Sequence, residues 1–147
     1  MFKYPVELTE DDGTILVKFP DIPEAITFGQ DSEEALLRAV DALETALMTY
    51  VEKRWPLPKQ SRLNGRPGIS PSPLSCLKLA LHQGMIEKNL KKSDLARLLA
   101  CHMPQIDRLL DLNHESRLEQ LERALAAIGR YVVIEVHDLA ARPSAIS

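Results

Sequence analysis

The sequence predicts an α+β chain. Residues 1–54 read as a β-β-β-α domain, residues 55–73 as a linker, and residues 74–138 as a helical domain containing a helix-turn-helix pair and a final short strand. Three features predict this: period-two alternation at the start, five of the ten prolines gathered between residues 55 and 73, and apolar spacing of three and four after Pro73. Residues 139–147 have little to bury and read as a flexible tail.

The strands come first. Phe2, Tyr4, Val6 and Leu8 alternate with Lys3, Pro5 and Glu7. Pro5 has no amide hydrogen for a ladder, so a free side or a bulge is expected there. Asp11-Asp12-Gly13 is a hairpin turn, because glycine accepts positive φ. The return strand presents Ile15, Val17 and Phe19 on one face. After the turn Asp21-Ile22-Pro23-Glu24, residues Ala25–Phe28 form a third strand that stops at Gly29.

A helix follows. Asp31 or Ser32 caps it, and Glu33 and Glu34 meet the positive end of its dipole. Leu36, Val40, Leu43, Leu47 and Tyr50 make its apolar stripe, which covers one face of the sheet. The prolines of the linker block helix and central strand alike. A stretch near 69–71 is nonetheless a candidate fourth strand on the N-terminal sheet.

Beyond Pro73, Leu74, Leu77, Leu81 and Met85 stripe a first helix. Ser93 caps a second, Asp94 to Ala100. Pro104 opens a third that reaches about Leu112. Ser116-Arg117-Leu118-Glu119 is a capping box for a fourth, which Gly129 ends. Tyr131–Val136 is a strand on its β-branched content, without a hairpin partner in its own domain, and is therefore expected to support self-association.

Charge separates the halves. Residues 1–55 carry five Lys/Arg against twelve Asp/Glu, and residues 56–147 carry thirteen against nine. An acidic half suits a basic protein, and a basic half suits phosphate backbones. There is no apolar run near 18 residues and no charged-then-apolar leader, so neither a membrane span nor a signal peptide is expected. Cys76 and Cys101 have no CxxC or histidine partner, which fits a reducing cytoplasm.

The helices of residues 93–112 have the size of a helix-turn-helix. Ala96 is the small residue between them, and Leu95, Leu99, Ile106 and Leu109 are apolar where the pair packs inward. The outer face offers His102, Met103, Gln105, Asp107 and Arg108 to base edges. Lys92, Ser93, Asn113 and His114 flank it as phosphate contacts, with Lys91 and Arg97 nearby. Ala100 stands where such turns often use glycine. A plain helical bundle with a polar surface would give the same short helices; the basic bias of this half favours DNA.

Catalysis has no comparable signal. Asp11 and Asp12 fall in a turn and Asp41 on a helix, so no strand supplies converging carboxylates for two-metal chemistry. His82, His102, His114 and His137 share no ligand spacing. No enzyme activity, metal or cofactor is expected.

The run Phe19-Pro20-Asp21-Ile22-Pro23-Glu24-Ala25, then Gly29, then Ser32-Glu33-Glu34-Ala35, resembles the signature of HicB antitoxins. Leu95-Ala96-Arg97, Ile106, Arg108-Leu109 and Gly129 resemble the subgroup with a Cro-like helix-turn-helix. The resemblance implies a partial RNase H-like N-terminal domain, a HicA-type mRNA-cleaving toxin as partner, repression of the shared operon through operator DNA, and a homodimer or larger assembly. Because such a toxin is basic, Asp21, Ile22, Pro23, Glu24, Asp31, Glu33 and Glu34 are the candidate toxin contacts, with the outer strand as the alternative. The runner-up function is a one-component repressor whose N-terminal domain senses a small molecule.

Overall fold

The computed structural model describes residues 1–139. The first strand is broken: β1 (Tyr4–Pro5) and β2 (Glu7–Asp11) flank Val6, whose amide donates to Pro67 O at 3.0 Å. The interruption thus falls at Val6, directly after Pro5, which has no amide hydrogen for a ladder. β2 pairs antiparallel with β3 (Thr14–Lys18) through a turn in which Asp12 (φ 53°) and Gly13 (φ 83°) are both left-handed. That geometry matches the twist of the strands it joins. β4 (Ile26–Gly29) pairs with the far side of β3 and forms the outer edge.

Register sorts the side chains. Leu8, Val17 and Thr27 share the face under the helix, while Thr9, Leu16 and Phe28 share the opposite one. α1 (Ser32–Glu52) covers the first face, capped by the Asp31 carboxylate, which accepts from Glu34 N at 2.8 Å. Its buried row is Ala35, Ala39, Leu43, Ala46, Leu47 and Val51; Leu36, Val40 and Tyr50 of the expected stripe are only half-buried. The small alanines let the helix lie close on the strands. At Gly29 the approach is so tight that a Cβ would stand 2.4 Å from Ala35 N.

Residues 55–73 are irregular but bound down. Tyr4 Oη donates to Pro58 O at 2.7 Å, Lys3 N to Gln60 Oε1 at 2.8 Å, and Ser61 to the Asp21 carboxylate through both N and Oγ. The candidate fourth strand forms as β5 (Gly68–Ile69), one residue earlier than expected, but it pairs with β1 in a two-stranded sheet separate from β2-β3-β4.

α2 (Pro73–Glu87) starts with Pro73 in its first turn. It packs on α1, α4 and α5 and is therefore buried around much of its circumference. Lys78, Leu79 and His82 are enclosed with Leu81 and Met85, whereas Leu74 and Leu77 are half-buried. α3 (Lys92–Leu99) begins before Ser93, which lies inside its first turn; Lys91 is the cap, and its amide donates to Asp94 Oδ2 at 2.8 Å. α4 (Met103–Leu110) is shorter than expected, ending before Leu112. α5 (Leu118–Ala127) starts after Arg117, and Gly129 (φ 83°) closes it while Arg130 N donates to Leu125 O.

Two expectations need correction. Ser116 does not cap α5; its hydroxyl is buried and accepts from Lys78. Among the described residues, Tyr131–Val136 form no strand; a strand needs a partner to pair with. Tyr131, Val133, Ile134 and Val136 are instead 70–91% exposed. The tail expected at 139–147 lies, beyond Leu139, outside the described residues.

Candidate functional site

α3 and α4 meet across a tight turn at Ala100, whose left-handed backbone (φ 51°, ψ 48°) returns the chain without glycine. Leu95 and Ile106 are fully buried between the helices, and Leu109 nearly so. Those inward residues turn Pro104 and Arg108 outward, flanked by Asp107 and Gln105.

The outward polar groups are held in specific ways. Gln105 Oε1 accepts from His102 N at 2.9 Å, closing the first turn and leaving Nε2 free to donate. Lys92 Nζ reaches the Asp107 carboxylate at 2.8 Å, so the one acidic side chain on this face is neutralised. Ser93, His102, Met103 and Arg108 are exposed beside them. His114 shares a cleft with Gln105 and Arg108. Asn113 does not join the group. It lines a groove with Asp41, Glu44 and Glu52 of α1, where a phosphate would meet carboxylates.

Beneath α4 lies a group that apolar periodicity did not reveal. Lys78 is fully buried, and its Nζ donates to Arg108 O and Ser116 Oγ, each at 2.7 Å. It thereby ties the C-terminal turn of α4 and the following loop to α2. Burial pushes its pKa down from 10.5 to about 8, with Asp111 partly opposing. One turn along α2, His82 Nε2 contacts Trp55 O at 2.7 Å; burial lowers the pKa of this ring, so it is neutral and donates.

Four of the candidate acidic contacts in the N-terminal half are engaged in holding the fold. Asp21 accepts from Ser61, Glu24 from Tyr50 Oη at 2.8 Å, and Asp31 caps α1. Glu34 accepts from Gln30 N at 2.7 Å. Ile22 is fully buried, so its side chain is part of the core and not of a contact surface. Pro23 and Glu33 are exposed. The outer strand offers something different: Ile26 and Phe28, each 53% exposed, stand with Leu16 on the sheet face that no helix covers.

Residues 3–80 match the family described as the HicB-like antitoxin of bacterial toxin–antitoxin systems. The chain belongs to that family. It is 37% identical over 143 residues to Antitoxin HicB of Pseudomonas fluorescens, covering 92% of this chain and 94% of that one. Antitoxin HicB 2 of Photorhabdus laumondii is 35% identical over 130 residues, covering 88% and 93%. Antitoxin HicB of Escherichia coli is also 35% identical over 130 residues, covering 87% and 94%. The family match spans the HicB-like sheet, α1, β5 and the start of α2, and the relatives align onward through the C-terminal helices. Among the described residues of this HicB-like chain, no helix is long and apolar enough to cross a membrane.

Proposed function

We propose that this HicB-like antitoxin works through two surfaces divided at the linker. Residues 1–54 cover a HicA-type toxin, and residues 74–138 bind operator DNA and repress the operon. Family membership carries the antitoxin reading and favours it over a small-molecule sensor. The apolar patch of Leu16, Ile26 and Phe28 supports an occlusive contact in which the N-terminal half performs no chemistry. Apolar area supplies the lasting affinity, while the acidic surroundings steer a basic ribonuclease into place. A stable cap of this kind buries about 1,200–2,000 Å².

The DNA reading is supported by the α3–α4 pair, where the capped start of α4, the free Nε2 of Gln105 and the outward Arg108 lie together. A helix in the major groove reads with residues near its N-terminus, and arginine pairs bidentately with guanine. A two-fold dimer would space two such helices about 34 Å apart. In a gel-shift titration on the upstream DNA of its own gene, Arg108→Ala should weaken binding by about 1–3 kcal/mol. Unchanged affinity in an Arg108→Ala, Gln105→Ala double variant would remove α4 from the role.

A further inference from the structure

Between α4 and α5 lies a cleft of about 140 Å³ whose polar wall is Gln105, Arg108, His114, Ser116, Gln120 and Arg123. No carboxylate lines it. Other cations of the C-terminal half lie against carboxylates: Lys92 is paired with Asp107, Arg97 with Asp94 and Arg130 with Glu87. Among the described residues, neither Arg108 nor Arg123 has an acidic partner. Two uncompensated guanidinium groups, two amides and an imidazole in one recess are donors awaiting an oxyanion. The recess is also held in shape, because Lys78 ties Ser116 and the Arg108 carbonyl together from below.

We propose that this cleft is a phosphate site, and that Arg123 of α5 clamps a DNA-backbone phosphodiester beside α4. The assignment rests on the DNA-binding reading. It extends the interface beyond the helix pair to α5, and it gives Arg123 a positioning role: a phosphate contact fixes the register of α4 in the groove and carries no sequence information.

The test uses the full chain and two labelled duplexes of equal length, the upstream DNA of its own gene and a random sequence, titrated by fluorescence anisotropy over a range of KCl. Arg123→Gln should weaken both duplexes by the same factor and make the slope of log K against log salt shallower by about 1. Arg123→Lys, which keeps the charge, should retain most of the slope. Arg130→Gln removes the same charge from outside the cleft and should keep the wild-type slope. If Arg123→Gln keeps that slope, or Arg130→Gln shifts it equally, the cleft is not a phosphate site. If the unaltered protein binds neither duplex, the DNA-binding reading has failed and the assignment falls with it. If only inorganic phosphate binds, as an Arg123-dependent chemical-shift change, the cleft takes a free anion and the backbone assignment is overturned.

Discussion

Ala100 occupies a backbone region that costs an L-residue roughly 1–2 kcal/mol, and the helix turn imposes it because α4 must fold back onto α3. Ala100→Gly should therefore stabilise the protein by about 1 kcal/mol, less whatever glycine adds to the freedom of the unfolded chain. Calorimetry should show a rise in Tm of about 2–4 °C for a chain of this size. Lys78 makes a pH prediction. Its folded pKa, near 8, lies below its ordinary 10.5, so between those values the unfolded chain holds a proton that the folded chain has released. Stability should accordingly rise as pH increases from 8. Tyr4 and Cys76 act in the other direction: burial pushes the Tyr4 hydroxyl up to about 12 and the Cys76 thiol up to about 11, so their contributions fall away above pH 10 and pH 9. The clean window is pH 8 to 9. Urea unfolding there should show a rising stability in the wild type and a flat one in Lys78→Met. Equal slopes would mean that Lys78 keeps its proton throughout.

At the scale of elements, the segment after α5 matters most. Tyr131, Val133, Ile134 and Val136 are largely exposed although their composition favours a strand. Exposed β-branched residues without a ladder are a template for pairing with another chain. We predict that the full chain self-associates through this segment: truncation after Gly129 should lower the mass seen by light scattering while keeping the helices by circular dichroism. A truncated chain with the native oligomeric mass would show that the contact lies elsewhere. The sheet has the complementary property: β4 is an edge strand, and its outward Ile26 and Phe28 are the largest exposed apolar side chains of the N-terminal sheet.

Across the whole molecule, the two halves are separable in function only if each keeps its surface without the other. They touch where α2 packs on α1 and through hydrogen bonds that include Arg54 to Leu90 O, Leu57 N to Gln83, His82 to Trp55 O and Leu112 N to Met48 Sδ, none of which involves the sheet's open face or a side chain of α4. Residues 1–72, co-expressed with the toxin, should therefore rescue cell growth although they lack the C-terminal helices. Persistent arrest with a folded, soluble fragment would show that neutralisation needs the C-terminal helices.

The elements themselves were legible in the sequence because they depend on neighbours in the chain. Asp12-Gly13 makes its own turn, Asp31 caps its own helix, Pro73 starts α2, and Gly129 ends α5. The pairing of α3 with α4 was legible for the same reason, since Leu95, Ile106 and Leu109 lie within a few turns of one another. What lies far apart in sequence was decided only in three dimensions. Periodicity marks Leu74 and Leu77 as core, but α2 is enclosed by three other helices, and that admits Lys78 and His82 to the interior. Ser116 reads as a cap until Lys78, 38 residues away, claims its hydroxyl. Asn113 sits next to His114 in sequence, yet it faces the carboxylates of α1 while His114 faces Arg108 and Arg123. Local hydrogen bonding and hydrophobic period are written in short stretches of sequence. Which charge is left without a partner depends on every element that packs around it, and only the tertiary structure determines that.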